Sequence, residues 1–189
     1  MRPSALPAFV TCANLVAGFL ALLLAIGGEF WWAAALVSGA GVLDLLDGAI
    51  ARRNSTEDEF GSNLDSLADL VSFGVAPAVA LYLSFLNGLP VLGAAGCIFY
   101  VVCGALRLAR FPLVRNRYNF VGLPIPPAGI LISCVAAASP PALPAIVLTF
   151  AVGTLMVSEI PFPKGPGSIP LGRKASKGSE ADASSSGSS

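Results

Sequence analysis

The chain has 189 residues, of which 55% are hydrophobic and only 12% charged, and its mean hydropathy is +0.78. Soluble domains carry about a quarter charged residues, so this balance excludes an ordinary soluble domain and points to a membrane protein. The formal net charge is zero and there is no histidine, which removes the usual general base, the usual zinc ligand and any phosphohistidine intermediate together.

Three stretches carry no charge: Pro3 to Gly28, Leu70 to Leu106 and Tyr118 to Ser158. A spanning helix needs roughly 20 apolar residues, so the second and third stretches must each hold two helices. Asn87-Gly88-Leu89-Pro90 breaks one and Ser139-Pro140-Pro141 the other, both with turn chemistry. In chain order the expected spans are 8–26, 30–51, 63–86, 91–110, 123–138 and 142–158. The expected fold is therefore all-α, a polytopic membrane protein with six transmembrane helices. The first span leads straight into others and has no small-residue cleavage site, unlike a signal peptide. Trp31 and Trp32 at a span end read as an interfacial belt.

Residues 1–163 read as one six-helix domain. From Lys164 the composition turns to Gly, Pro and Ser and ends SEADASSSGSS, so 164–189 is expected to be a disordered cytoplasmic tail. Cys12, Cys97, Cys103 and Cys134 are scattered without a CxxC pair and read as small apolar residues in membrane helices.

The basic residues orient the chain. Arg2 precedes the first span, Arg52 and Arg53 follow the second, and Arg107, Arg110, Arg115 and Arg117 lie at and after the end of the fourth. Lys164, Arg173, Lys174 and Lys177 follow the sixth, which completes the set. With six spans all of them fall on one side, and the opposite loops hold only Glu29. By the positive-inside rule both termini face the cytoplasm. The expected location is the cell (cytoplasmic) membrane, with membrane lipids as surroundings and no nucleic-acid partner.

Four aspartates stand out in this apolar setting. Asp44 and Asp47 are three apart near the end of the second span, and Asp65 and Asp69 four apart near the start of the third. Each pair lines one helix face. Antiparallel neighbours joined by a cytoplasmic loop bring the pairs to a common depth, roughly 5–12 Å from the helix ends. No cation lies among the nearby residues of these spans, and bare carboxylates there would cost several kcal/mol each. An all-oxygen ligand set suits Mg²⁺ or Mn²⁺ and disfavours zinc or copper. The bland reading is solvated helix-end acids; a rival functional one is a cation or proton site in a small carrier.

The intervening residues separate these. Gly48 and Gly61 permit close approach of a bulky ligand, and Arg52, one turn beyond the acids, suits phosphate oxygens. Metal and phosphate clamp together describe a nucleotide-diphosphate site. Glu57, Asp58 and Glu59 in the connecting loop read as a solvated face.

The run D-x-x-D-G-x-x-A-R, eight residues, G-x-x-x-D-x-x-x-D resembles the signature of the CDP-alcohol phosphatidyltransferases. Every fixed position is present: Asp44, Asp47, Gly48, Ala51, Arg52, Gly61, Asp65 and Asp69. Within that family, LDSLADLVSFGVAPA (64–78), ALRLARF (105–111), GLPIPPAG (122–129) and MVSEIPF (156–162) resemble the serine-using branch, the phosphatidylserine synthases. So does the opening LPAFVTCANLVAG, except that Ala8 stands where an asparagine is usual.

The resemblance implies an integral membrane enzyme that moves a phosphatidyl group from a CDP-linked lipid to an alcohol and releases CMP. It implies Asp44, Asp47, Asp65 and Asp69 as ligands for two divalent ions, with Asp69 also the general base. Gly48, Ala51, Arg52, Gly61, Thr11 and Asn14 would contact the CDP-lipid; without the motif, Thr11 and Asn14 would pass for helix-packing polar residues. L-serine is the expected acceptor, with Arg107 and Arg110 placed to hold its carboxylate unless they merely snorkel to headgroups. Glycerol 3-phosphate and inositol phosphate are the alternative acceptors, and a homodimer is the expected assembly.

Overall fold

The computed structural model describes the backbone of residues 5–51, 59–84, 86–114 and 123–158, and their side chains except 5–8, 45–51, 59, 87 and 111–114. The described residues are helical and contain no strand. The helices are α1 (Ala5–Ile26), α2 (Phe30–Ala51), α3 (Glu59–Asp69), α4 (Ala76–Ser84), α5 (Pro90–Val114), α6 (Ile125–Ala138) and α7 (Ala142–Val157). A π-helical turn, Leu70–Val75, joins α3 to α4, and a short 3-10 turn, Leu86–Gly88, precedes α5. The tail from residue 164 lies outside the described residues.

Turn chemistry explains the boundaries. α1 ends in a Schellman motif: the Glu29 amide donates to Leu24 O and the Gly28 amide to Ala25 O. Gly28 takes φ +83°, which a side chain would resist. Glu29 O then accepts the first bond of α2 from Ala33 N, so the two helices are antiparallel neighbours with almost no loop. α6 ends at Ser139 in the left-handed region, where Pro140 and Pro141 cannot continue it.

The expected span 63–86 is not one regular helix. Pro77 has no amide hydrogen, and a proline ring clashes with the carbonyl four residues back, here Phe73 O. The chain widens into the π-turn instead, with Ala76 N–H bonding Val71 O, five residues back. Tyr100 of α5 donates its hydroxyl to Phe73 O at 2.8 Å, so the carbonyl that Pro77 deprives of its α-helical donor is still satisfied.

The run from α3 through the π-turn to α4 is the centre of the bundle. α1, α2, α5 and α6 all pack on α4, and α7 packs mainly on α5. The core is built of small residues (Ala21, Ala25, Ala40, Ala76, Ala80, Ala136) around Phe73, Leu81 and Tyr100, the close packing expected of membrane helices. The outside is apolar as well. Phe9, Ile26, Trp31, Trp32, Val91, Ile98, Leu143 and Val147 are all more than 60% exposed, an arrangement that lipid tolerates and water does not. Phe9–Ile26, Phe60–Ser84 and Pro90–Arg110 are long and apolar enough to cross a bilayer; the apolar stretches Phe30–Asp44, Ile125–Ala138 and Ala142–Val157 are shorter.

Candidate metal and phosphotransfer site

α2 and α3 carry the acids. Asp44 of α2 and Asp65 and Asp69 of α3 each bring a carboxylate oxygen within 4.8 Å of the others. Asp44 is half-buried and Asp69 only 7% exposed. At such a separation each pair of like charges repels by about 3–4 kcal/mol at an effective dielectric of about 20. Asp69 feels both Asp44 and Asp65 in this way, and among the described cations the attraction of Arg107 of α5 opposes it. The second and third spans supply no cation here; Arg107 comes from α5, one of the two arginines expected at this depth.

The donor set fits a hard divalent cation. Three carboxylate oxygens this close, from two helices, could be ligands to such an ion. Asp47 and Ala51 also belong to α2, with Gly48 between them, but the side chains of Asp47 and Ala51 lie outside the description; Arg52 is outside the described residues altogether. Gly61 sits in the first turn of α3.

α1 supplies the roof. Asn14, 3% exposed, donates its side-chain amide to Asp69 Oδ1 at 3.1 Å. Ser72, in the π-turn, donates to the Asn14 backbone carbonyl at 2.9 Å. Gly18, one turn on from Asn14, makes room, since a Cβ there would lie 2.6 Å from Ser72 Cα. Two buried polar atoms here have no hydrogen-bond partner among the described residues: Asn14 Oδ1, an acceptor, and Arg107 Nε, a donor. Thr11, Asp44, Asp65 and Arg110 each have interactions of their own.

The two arginines differ. Arg107 is half-buried and interacts with Asp69, whereas Arg110 is exposed. Sequence reasoning placed Asn14 near the site but not on Asp69, and it missed Ser72 and Tyr100 entirely. The available signals were Pro77 inside an expected helix and single hydroxyls in otherwise apolar runs.

The family model for CDP-alcohol phosphatidyltransferase matches residues 4–162. The chain is 40% identical over 161 residues to the CDP-diacylglycerol–serine O-phosphatidyltransferase of Methanocaldococcus jannaschii, covering 85% of this chain and 75% of that one. It is 36% identical over 159 residues to the protein of the same name from Bacillus subtilis, covering 84% and 89%. Over 164 residues it is 39% identical to the archaetidylserine synthase of Methanothermobacter thermautotrophicus, covering 85% and 70%.

Proposed function

Because the chain belongs to the CDP-alcohol phosphatidyltransferase family, we propose that it transfers the phosphatidyl group of a CDP-linked lipid to the hydroxyl of L-serine, forming the phosphoserine lipid and CMP. The observation that carries this reading is the cluster of Asp44, Asp65 and Asp69 with Arg107 Nε, unpartnered among the described residues, beside it. The similarity to three serine-named relatives supports the choice of acceptor.

Mg²⁺ or Mn²⁺, as two ions, would be held by Asp44, Asp47, Asp65 and Asp69. When bound, such ions neutralise the diphosphate and the charge developing on departing CMP. The remaining work falls to the chain. Asn14 engages one oxygen of Asp69, leaving the other to take the proton of the serine hydroxyl as it attacks phosphorus. Arg107 offers the serine carboxylate a planar donor, with Arg110 as a weaker contributor at the exposed end. Arg52, Gly48, Ala51, Gly61 and Thr11 would seat the CDP-lipid. No covalent intermediate is required, so displacement is direct and in line.

The charge asymmetry supports a six-span topology with the termini and site on the cytoplasmic face of the cell membrane, and a homodimer is the proposed assembly. The test is CMP release from a CDP-lipid in detergent or vesicles across serine, glycerol 3-phosphate and inositol phosphate. Release with serine alone supports the reading. Release only with another alcohol removes serine, and no release with any removes the transferase.

A further inference from the structure

Phe73 lies in a closely packed part of the fold. Its Cα, Cβ and O would all be within 2.7 Å of a Cβ on Gly129 of α6, and its ring edge reaches within 3.6 Å of one on Gly41 of α2. Gly41 and Asp44 are three residues apart on α2 and share a face. On the other side of the same turn, Asp69 and Ser72 both bond to Asn14.

In an unbroken α-helix Asp65, Asp69 and Phe73 would follow one stripe. One extra residue in the turn advances the face by about 100°. That rotation separates Phe73 from the aspartates and lets it wedge between α6 and α2, one turn from Asp44, while Asp69 stays under α1. The relative placement of Asp44 and Asp69 thus passes through the π-turn. Its local causes are Pro77, which withholds an amide from Phe73 O, and Tyr100, which supplies a hydroxyl in its place.

We propose that the π-turn Leu70–Val75 is a positioning device for the carboxylate site, and that Pro77 and Tyr100 are positioning residues that hold Asp69 against Asp44 through the backbone. The inference rests on the metal-site reading above but not on the identity of the acceptor alcohol. Pro77→Ala returns the amide and lets the turn relax to a regular α-helix. Tyr100→Phe removes the hydroxyl while keeping the ring.

The test measures Mn²⁺ binding by loss of the free-ion electron paramagnetic resonance signal, on the full chain in detergent, alongside thermal unfolding. Wild type should bind Mn²⁺. Both variants should bind it roughly tenfold more weakly, the scale seen when groups that orient metal ligands are lost, and Pro77→Ala should unfold no earlier than wild type. If either folded variant binds Mn²⁺ as tightly as wild type, whatever its unfolding temperature, the positioning role is overturned. Should one variant fail to fold, the other decides by the same criterion. Failure of wild type to bind Mn²⁺ would remove the metal reading itself, which is a different result from wild-type binding by the variants.

Discussion

Asn14 and Asp69, 55 residues apart in sequence, are joined by a buried 3.1 Å hydrogen bond from the Asn14 amide to Asp69 Oδ1. The bond fixes which oxygen of Asp69 faces α1 and which is left for chemistry. Asn14→Ala should therefore lower CMP release by roughly 10–100-fold, the usual cost of losing a group that orients a metal ligand. Asn14→Asp should do worse, because it replaces the donor with a further carboxylate against Asp69, beside Asp44 and Asp65. Both are read as CMP release on protein shown to be folded by its unfolding transition. An Asn14→Asp variant as active as Asn14→Ala would argue that the amide does not serve Asp69.

Divalent ions should be indispensable, since Asp44, Asp65 and Asp69 bring three carboxylate oxygens within 4.8 Å of one another, a donor set suited to such an ion. Chelator should abolish CMP release and Mg²⁺ or Mn²⁺ restore it. Asp69→Asn should be inactive yet still bind CDP-lipid in part, because a base is lost while other ligands remain. Full activity in chelator, or a near-normal rate for Asp69→Asn, would rule out this use of the cluster.

The grip on the π-turn predicts where a single methyl group is intolerable. Gly129→Ala places Cβ 2.6 Å from Phe73 O and 2.7 Å from Phe73 Cα, backbone atoms that cannot swing aside. It should destabilise the protein by about 1–3 kcal/mol. Gly96→Ala is the control. Its Cβ meets Phe150 Cε2 at 3.5 Å, an ordinary contact, so the gain in helix propensity, up to about 1 kcal/mol, should show instead. Thermal unfolding in detergent distinguishes the two, and equal unfolding temperatures would contradict the packing.

Much of this arrangement is legible in the sequence because its causes are local. Gly27-Gly28 and Ser139-Pro140-Pro141 end helices through their own backbone preferences, and the expected span 30–51 coincides with α2. The i, i+4 spacing alone puts Asp65 and Asp69 on one face. The partners of those acids are not local. Asn14 reaches Asp69, and Arg107 approaches it, only because α1 and α5 pack against the rod from α3 to α4. The π-turn lies between these cases. Pro77 announces trouble at Phe73 O, but whether a helix kinks, ends or widens depends on a donor such as Tyr100 being at hand.

Topology can be tested with reporter tags. The six-span arrangement puts every Lys and Arg on one side, so a tag in the loop around Arg115 or at the C terminus should report cytoplasmic. A tag at Gly28 or Gly88 should report the opposite side. A cytoplasmic report at Gly88 would break the six-span arrangement, and with it the proposed common orientation of the helices carrying the site.

Arg107 and Arg110 are three residues apart on α5, and their surroundings predict unequal roles. Arg107 is half-buried, interacts with Asp69, and keeps a buried Nε without a hydrogen-bond partner among the described residues. Leaving such a donor unmet costs about 1–3 kcal/mol or more for a charged group, and a carboxylate in the site would recover it. A guanidinium can meet a carboxylate through two parallel bonds, which an ammonium cannot do. Arg107→Lys keeps the charge and loses that geometry. It should raise the KM for serine roughly tenfold or more, a loss of about 1.4 kcal/mol or more, while the KM for CDP-lipid changes much less. Arg110 is exposed, where an arginine at a helix end commonly reaches for headgroups, so Arg110→Lys should leave the serine KM within about a factor of two. Steady-state kinetics with each substrate varied in turn gives both values. If Arg107→Lys weakens only the CDP-lipid, its guanidinium serves the diphosphate. If the two variants behave alike, burial is not what selects the residue that holds serine.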